Sequence, residues 1–265
     1  MRYISSRDNP YFKHLRALND DARYRRKCGA TLLDGDHLLS AALNSGWGLG
    51  AVVFREDVVD SELSRRLQAR IAAEAPGCEE FVLARALFNV LSPVASPSGF
   101  LAEINPPQPT AVGEGQCDVL ALAGVQDPGN LGTMLRTAAA AGVGQAWLDR
   151  STTQAWSPKA LRAGMGAQFQ IQIVESCDLT ELLRGRAQPV YVTSLGAGAR
   201  SLYALNLLEP AVWVFGAEGT GVPEELMGLA TQKVIIPMPG KVESLNVSAA
   251  AAVCLFEQVR QRART

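Results

Sequence analysis

Histidine is nearly absent from this chain: His14 and His37 are the only two in 265 residues. That shortage disfavours a His-ligated metal centre and a His-based catalytic triad. The five cysteines, Cys28, Cys78, Cys117, Cys177 and Cys254, are odd in number, scattered and never spaced as CxxC. They read as reduced thiols of a cytoplasmic protein, with neither a disulfide frame nor a zinc site. No run of about 18 apolar residues exists, so no membrane-spanning helix is expected. The opening MRYISSRDNP has no apolar signal core. There is no GxGxxG dinucleotide fingerprint and no P-loop, which disfavours a Rossmann-type oxidoreductase. No segment repeats with a period of about 20–50 residues.

What is present suits two domains. A chain of 265 residues is long for one, and 48% hydrophobic residues support a real core. The net charge of −1 conceals an asymmetry. Residues 1–27 hold eight Lys or Arg against three Asp, a net +5, leaving −6 for the rest. Tyr3, Tyr11, Phe12 and Tyr24 are interleaved in this arm, and Arg23, Arg25 and Arg26 cluster at its end. Such an arm reads either as a surface for nucleic-acid phosphates or as a solvated amphipathic helix.

Asn9-Pro10 predicts a helix start. Strand patterns at 31–33, 50–54, 81–84 and 99–104 alternate with helices at 34–44, 61–75 and 85–91. They predict a small α/β domain over residues 1–104. NPPQPTAVGEGQ, residues 105–116, is rich in Pro and Gly and reads as a linker. Residues 117–265 repeat the rhythm with stronger strands at 118–123, 145–148, 169–174, 190–194, 211–215 and 233–236. Their unbroken apolar character predicts a parallel sheet buried on both faces. Helices are expected at 131–141, 158–163, 178–184, 223–230 and 248–260.

Three loops carry the polar chemistry. In QDPGNLGTMLRT, residues 126–137, the chain turns, Asn130 is placed to cap a helix beginning at Leu131, and Arg136 follows in its second turn. In FGAEGTGVP, residues 215–223, three glycines let a ligand approach the backbone. Glu218 there would repel a phosphate, and suits a ribose hydroxyl, a cationic ligand or an ion pair. In VIIPMPGKVESLNVSAAAAVC, residues 234–254, Pro237 and Pro239 end a strand, and Ser244 and Asn246 offer hydrogen bonds. Asn246 either serves a site or only caps the helix that follows. The Ala249–Ala252 run lets that helix approach another backbone closely.

Together and in this order, the loops resemble the SpoU (TrmH-like) family of RNA ribose 2'-O-methyltransferases, in the SPOUT superfamily. NLGTMLRTA (130–138), FGAEGTGVPEEL (215–226) and IPMPGKVESLNVSAAAAVCLFE (236–257) are similar to its three motifs. The resemblance is strong over about residues 113–265, and residues 1–100 more weakly resemble the ribosomal-protein-like RNA-binding domain that often precedes it. It implies an α/β protein with a C-terminal trefoil-knotted methyltransferase domain and parallel sheet, S-adenosylmethionine as cofactor, and a homodimer, while the scarcity of histidine and the scattered cysteines point to no metal. It implies cofactor contacts from Gly216, Ile236, Leu245 and Leu195. Arg136 matches the catalytic arginine, with Asn130, Glu218, Ser244 and Asn246 as supporting polar residues. Asn130 and Asn246 are expected to position Arg136 and the ribose, and Glu218 to pair with an arginine. The substrate implied is rRNA, with tRNA or a catalytically silent RNA-binding role as alternatives. The basic arm, Arg23, Arg25 and Arg26, is then expected to contact RNA. One departure stands out in KALRAGMGA (159–167): Gly164 stands where the family commonly has Ser, while Arg162 remains to touch RNA phosphate.

Overall fold

The computed structural model describes residues 1–94, 96–107, 117–196 and 198–263. The chain begins β1 (Arg2–Ile4), α1 (Pro10–Asp20), α2 (Ala22–Cys28), β2 (Thr31–Asp34), α3 (Asp36–Asn44), β3 (Ala51–Arg55), α4 (Glu62–Glu74), β4 (Glu79–Leu83), α5 (Arg85–Leu91) and β5 (Phe100–Ile104). It continues β6 (Val119–Ala123), α6 (Pro128–Ala140), β7 (Gln145–Asp149), α7 (Pro158–Gly164), β8 (Gln172–Cys177), α8 (Leu179–Leu183) and β9 (Val190–Thr193). It ends β10 (Arg200–Ser201), β11 (Val212–Gly216), α9 (Glu224–Met227), β12 (Gln232–Ile235) and α10 (Val247–Arg262). Two units result: Met1–Gln108 with Trp156–Phe169, and Pro109–Ala155 with Gln170–Thr265. Of the linker expected at 105–116, residues 108–116 lie outside the described residues. Among the described residues no helix is long and apolar enough to cross a membrane.

The first unit holds a mixed sheet of order β1-β4-β3-β5-β2. β1, β4 and β3 are parallel, and β5 pairs antiparallel with β3 and β2. β1 escapes the sequence pattern because it has 3 residues and buries only Ile4. α1 starts where expected: the Asn9 side chain accepts from the Tyr11 and Phe12 amides, and Pro10 fills the first position. Its buried stripe, Phe12, Leu15 and Leu18, joins the core formed by Leu32, Val53, Phe81 and Phe88. α2 stops at Gly29, whose φ of 61° is left-handed.

The segment Trp156–Phe169 belongs to this unit for physical reasons. The Thr31 hydroxyl donates to the Trp156 carbonyl at 2.6 Å. The rings of Trp47, Trp156 and Phe169 lie 5.1–6.1 Å apart. α7 ends at Met165, whose φ is 51°, and a 3-10 turn at Ala167–Phe169 delays β8 to Gln172. That turn is why the strand expected from residue 169 begins later. Gly164 faces the Gln168 carboxamide, which fills the space a Cβ would need. Gln168 is held there by donating to the Ala160 carbonyl at 3.0 Å. The glutamine carboxamide thus occupies the space that a side chain at position 164 would take.

The second unit is built on a seven-stranded sheet, order β10-β12-β9-β11-β6-β7-β8, with every pair parallel. β6 and β11 sit centrally, and all their residues are buried. The alternation of a strand splits their side chains between two faces. Val119, Ala121, Val212 and Val214 join Leu179, Leu183 and Leu226 of α8 and α9. On the other face α10 lies against α6 and β11.

One polar network fixes α10 to the sheet. The Trp213 indole donates to Gln258 Oε1 (2.8 Å), and Gln258 Nε2 donates to Asp118 Oδ1 (3.1 Å). Asp118 also accepts from the Ala211 amide (2.9 Å) and takes a bidentate pair with Arg262. Asp118 is buried, so its removal leaves several donors without their acceptor. Asp118→Ala is expected to cost about 2–4 kcal/mol, less than a fully buried pair because Arg262 reaches solvent. Urea unfolding of the two proteins measures it, and a loss below about 1 kcal/mol would contradict the role given to this network.

Candidate active site

In a parallel sheet every strand points its carboxyl end to one edge, where ligands of open α/β folds bind. β12, β9, β11 and β6 are consecutive neighbours. The loops that leave them therefore share one edge: residues 236–246, 194–196, 217–222 and 124–127. They include part of each of the three stretches singled out by the sequence, the rest of the first lying in α6.

The loop after β6 begins at Gly124, φ 78°. α6 starts earlier than expected, at Pro128, because Asp127 is its cap and accepts from the Asn130 amide at 2.9 Å. An Asp followed by Pro at the first helical position is the signal that locates this start. Asn130 is consequently the third helical residue, and its side chain is released from capping.

That side chain joins the three loops. Asn246 Nδ2 donates to Asn130 Oδ1 at 3.0 Å, and Asn130 Nδ2 donates to Glu218 Oε1 at 2.9 Å. The Gln126 amide reaches the other Glu218 oxygen at 3.4 Å. Asn246 caps α10 and also reaches across to Asn130. Its Oδ1 caps α10, accepting from the Ser248 amide (2.9 Å), the Ser248 hydroxyl (2.6 Å) and the Ala249 amide (3.4 Å). Its nitrogen is then left to reach Asn130. The relay runs one way, because a carboxylate only accepts and so faces the Asn130 amide nitrogen.

Burial alone would raise the Glu218 carboxyl, but the Asn130 side chain and the amides of Glu218, Gln126 and Asp127 hold it below its usual range. A depressed carboxyl contributes its bonds above the ordinary carboxylate pKa and loses them as pH falls through the lowered value. The relay is therefore complete at neutral pH and opens in acid.

The remaining candidate residues lie on the same four loops or strand ends, or, for Arg136, further along α6. Gly216 is buried at the end of β11, and Ala217 and Gly221 close the next loop through paired backbone bonds of 3.2 and 3.0 Å. Ile236 follows β12 and is half-buried, while Ser244 is exposed. Leu245 and Leu195 are large apolar side chains that are 39% and 61% exposed at this edge. Arg136 is exposed on α6, six residues beyond Asn130 and so about 9 Å along the helix. Among the described residues it makes no hydrogen bond or ion pair. Asn130 and Asn246 thus bond to each other and not to Arg136, and Glu218 pairs with Asn130 and not with an arginine.

Four arginines read as RNA contacts lie in the first unit. Arg23 and Arg26 are exposed on α2. Arg25 is buried and donates to the Leu18 and Asn19 carbonyls at 2.8 and 3.1 Å, closing the end of α1. It is directed inward, away from any phosphate. Arg162 lies 3.3 Å from Asp34 and is partly buried. Burial raises the Asp34 carboxyl, against the lowering effect of Ser92 and Arg162.

Residues 118–256 match the SpoU rRNA Methylase family, and residues 9–102 match the MRM3-like substrate binding domain. An uncharacterised tRNA/rRNA methyltransferase from Synechocystis sp. is 32% identical over 98% of this chain and 94% of its own length. The 23S rRNA (guanosine(2553)-2'-O)-methyltransferase RlmP of Bacillus subtilis is 29% identical over 97% of this chain and 98% of its own. Among solved structures, the AdoMet-bound rRNA methyltransferase from Sinorhizobium meliloti superposes with a TM-score of 0.84 at 28% identity, covering 98% of this chain and 97% of that one.

Proposed function

Because the chain belongs to the SpoU rRNA methylase family, we propose that it methylates a ribose 2'-hydroxyl of 23S rRNA, with S-adenosylmethionine as the methyl donor. The observation that carries this reading is the Asn246–Asn130–Glu218 relay, which ties three motif loops together at one sheet edge. Full-length similarity to a 23S rRNA 2'-O-methyltransferase supports the substrate.

The residues present fit the cofactor. Gly216 leaves no side chain between its strand and the 217–222 loop. Leu195 and Leu245 offer exposed apolar surface on neighbouring loops, where an adenine ring and a thioether chain would be covered. Gly216, Ile236, Leu245 and Leu195 would hold it, largely through backbone groups. S-adenosylmethionine, when bound, supplies an electrophilic sulfonium methyl.

The protein's own task is to place the ribose hydroxyl in line and to help its proton leave. Arg136 does this as a donor. A guanidinium does not give up its proton near neutral pH, so it grips the adjoining phosphate and lowers the hydroxyl pKa by its charge. Asn130, Glu218 and Asn246 hold the loops in register, and Ser244 faces the reacting ribose.

The trefoil knot and the homodimer are part of the same reading. The chain leaves β12 near one side of the sheet and returns to lay α10 on α6 and β11, a course compatible with threading through a loop. α6 and α10 are also the helices we assign to the dimer interface, where Phe256 is 47% exposed. A cytoplasmic location follows from an rRNA substrate.

In the first unit, Arg23 and Arg26 supply the RNA contact, and Arg25 is left to its helix. Replacing Arg23 and Arg26 together with alanine is expected to lower the slope of log affinity against log salt by about 1.4–1.8, at roughly 0.7–0.9 per phosphate contact. Filter binding across a salt series measures it. An unchanged slope would return α2 to a solvated helix.

The deciding experiment is mass-spectrometric mapping of ribose methylation in rRNA and tRNA from cells lacking this protein. One 2'-O-methyl missing from 23S rRNA supports the proposal. A loss confined to tRNA moves the substrate, and no loss anywhere leaves a silent RNA-binding protein.

A further inference from the structure

The turn after β7, residues 149–153, carries no motif, yet it holds the loop that launches α6. Thr152 Oγ1 accepts from the Gly124 amide at 3.0 Å and the Val125 amide at 3.3 Å. Its single proton goes to Asp149 Oδ1 (2.7 Å) or to the Leu122 carbonyl (3.1 Å). Asp149 Oδ1 also accepts from the Gly124 amide (3.1 Å) and the Thr152 amide (2.8 Å). The Ser151 hydroxyl donates to the other carboxylate oxygen at 2.5 Å. Two more bonds cross the same gap: the Thr153 amide to the Val125 carbonyl (2.9 Å), and the Gln126 side chain to the Ser151 carbonyl.

Gly124 itself lies between this turn and the Glu218 loop. A Cβ there would meet Ser151 Oγ at 3.4 Å and Ala217 Cβ at 3.5 Å. The loop is therefore tethered on both sides, by Thr152 and Asp149 on one and by Glu218 on the other. Its last residue, Asp127, caps α6 and fixes where that helix begins.

We propose that Asp149 and Thr152 are positioning residues for methyl transfer, acting through the Gly124–Asp127 loop to set where Asn130 and Arg136 stand. This rests on the proposed activity. Among the described residues no hydrogen bond runs directly from the turn to the loops that leave β11, β12 and β9, which carry the cofactor residues, so loosening the turn is expected to spare cofactor affinity. A displacement of about 1 Å at a catalytic group costs on the order of 10²-fold in rate. Loosening the clamp is thus expected in kcat and not in KM.

Thr152→Val removes the hydroxyl at nearly constant volume. The expected result is a fall in kcat of about 10–100-fold, with KM for S-adenosylmethionine and for RNA within about twofold. Amide hydrogen exchange should quicken at Gly124 and Val125 while the global unfolding midpoint changes little. Thr152→Ser should restore kcat to within about threefold. Asp149→Asn, which keeps an acceptor for the Gly124 amide, is the second variant and should show a smaller fall of the same kind. Unchanged kcat despite faster exchange overturns the proposal, as does a matching rise in the cofactor KM. Wild-type transfer to 23S rRNA is the reference. Its absence would sink the proposed activity, whereas normal transfer with an indifferent Thr152→Val sinks only the positioning role.

Discussion

Arg136→Ala is expected to lower methyl transfer by about 10²–10³-fold, while S-adenosylhomocysteine binds as it does to the unaltered protein. The size follows from losing one charge-assisted donor aimed at developing negative charge. The selectivity follows from placement. Arg136 stands on the exposed side of α6, and the loops assigned to the cofactor leave other strands. Nothing among the described residues engages its guanidinium, so removing it breaks no internal bond, and the fold should keep its stability. Arg136→Lys separates the two chemical roles still in play. A lysine keeps the charge but not the planar fork, so partial activity is expected if the arginine acts by charge on a phosphate. If the arginine served as a base, lysine with its lower pKa would match or exceed it at alkaline pH. Calorimetric titration with S-adenosylhomocysteine and single-turnover transfer measure the two halves, and normal turnover by Arg136→Ala would remove this residue from the chemistry.

The central strands of the second unit were legible because burial on both faces leaves continuous apolar runs, VLALA and VWVFG, whereas the two-residue β10 left no pattern to read. The direction of the sheet followed from the helices between them. The bonds inside the site did not. Three polar residues spread over 130–246 are joined only once four strands have been ordered side by side, and no local pattern encodes strand order. The start of α6 illustrates the finer limit. Asn130 and Asp127 are both good caps, and only the ladder of bonds decides between them. The basic arm shows another. Arg23, Arg25 and Arg26 look alike in sequence, yet α2 turns Arg25 inward onto the last carbonyls of α1. Charge counting reports the arm and cannot say which of its cations face water. The clamp at Asp149 and Thr152 was invisible for a related reason, since its partners are backbone amides 25–28 residues away.

Gly216→Ala is expected to abolish cofactor binding and destabilise the second unit together. Gly216 is buried at the end of β11, and a Cβ there would overlap the Gly221 carbonyl and the Val222 amide nitrogen. Those atoms are backbone, so no rotamer change can make room. The Ala217–Gly221 pair of bonds closes the loop tightly over this position, and admitting a methyl group means opening it. Opening it carries Glu218 away from Asn130 and so breaks the relay at its middle bond. The overpacking alone costs about 1–3 kcal/mol or more. Since the cofactor is assigned to this same edge, S-adenosylhomocysteine affinity should drop by at least about 100-fold, equivalent to roughly 2.7 kcal/mol. Gly219→Ala is the control within the same loop. A Cβ at Gly219 meets nothing within 4 Å, and its φ is not left-handed. That variant should keep the unfolding midpoint of the unaltered protein. Thermal unfolding with and without S-adenosylhomocysteine reads both effects at once, because a ligand bound only to the folded state raises its midpoint. A Gly216→Ala protein that keeps both its midpoint and the ligand-induced rise would show that this edge is not where the cofactor binds.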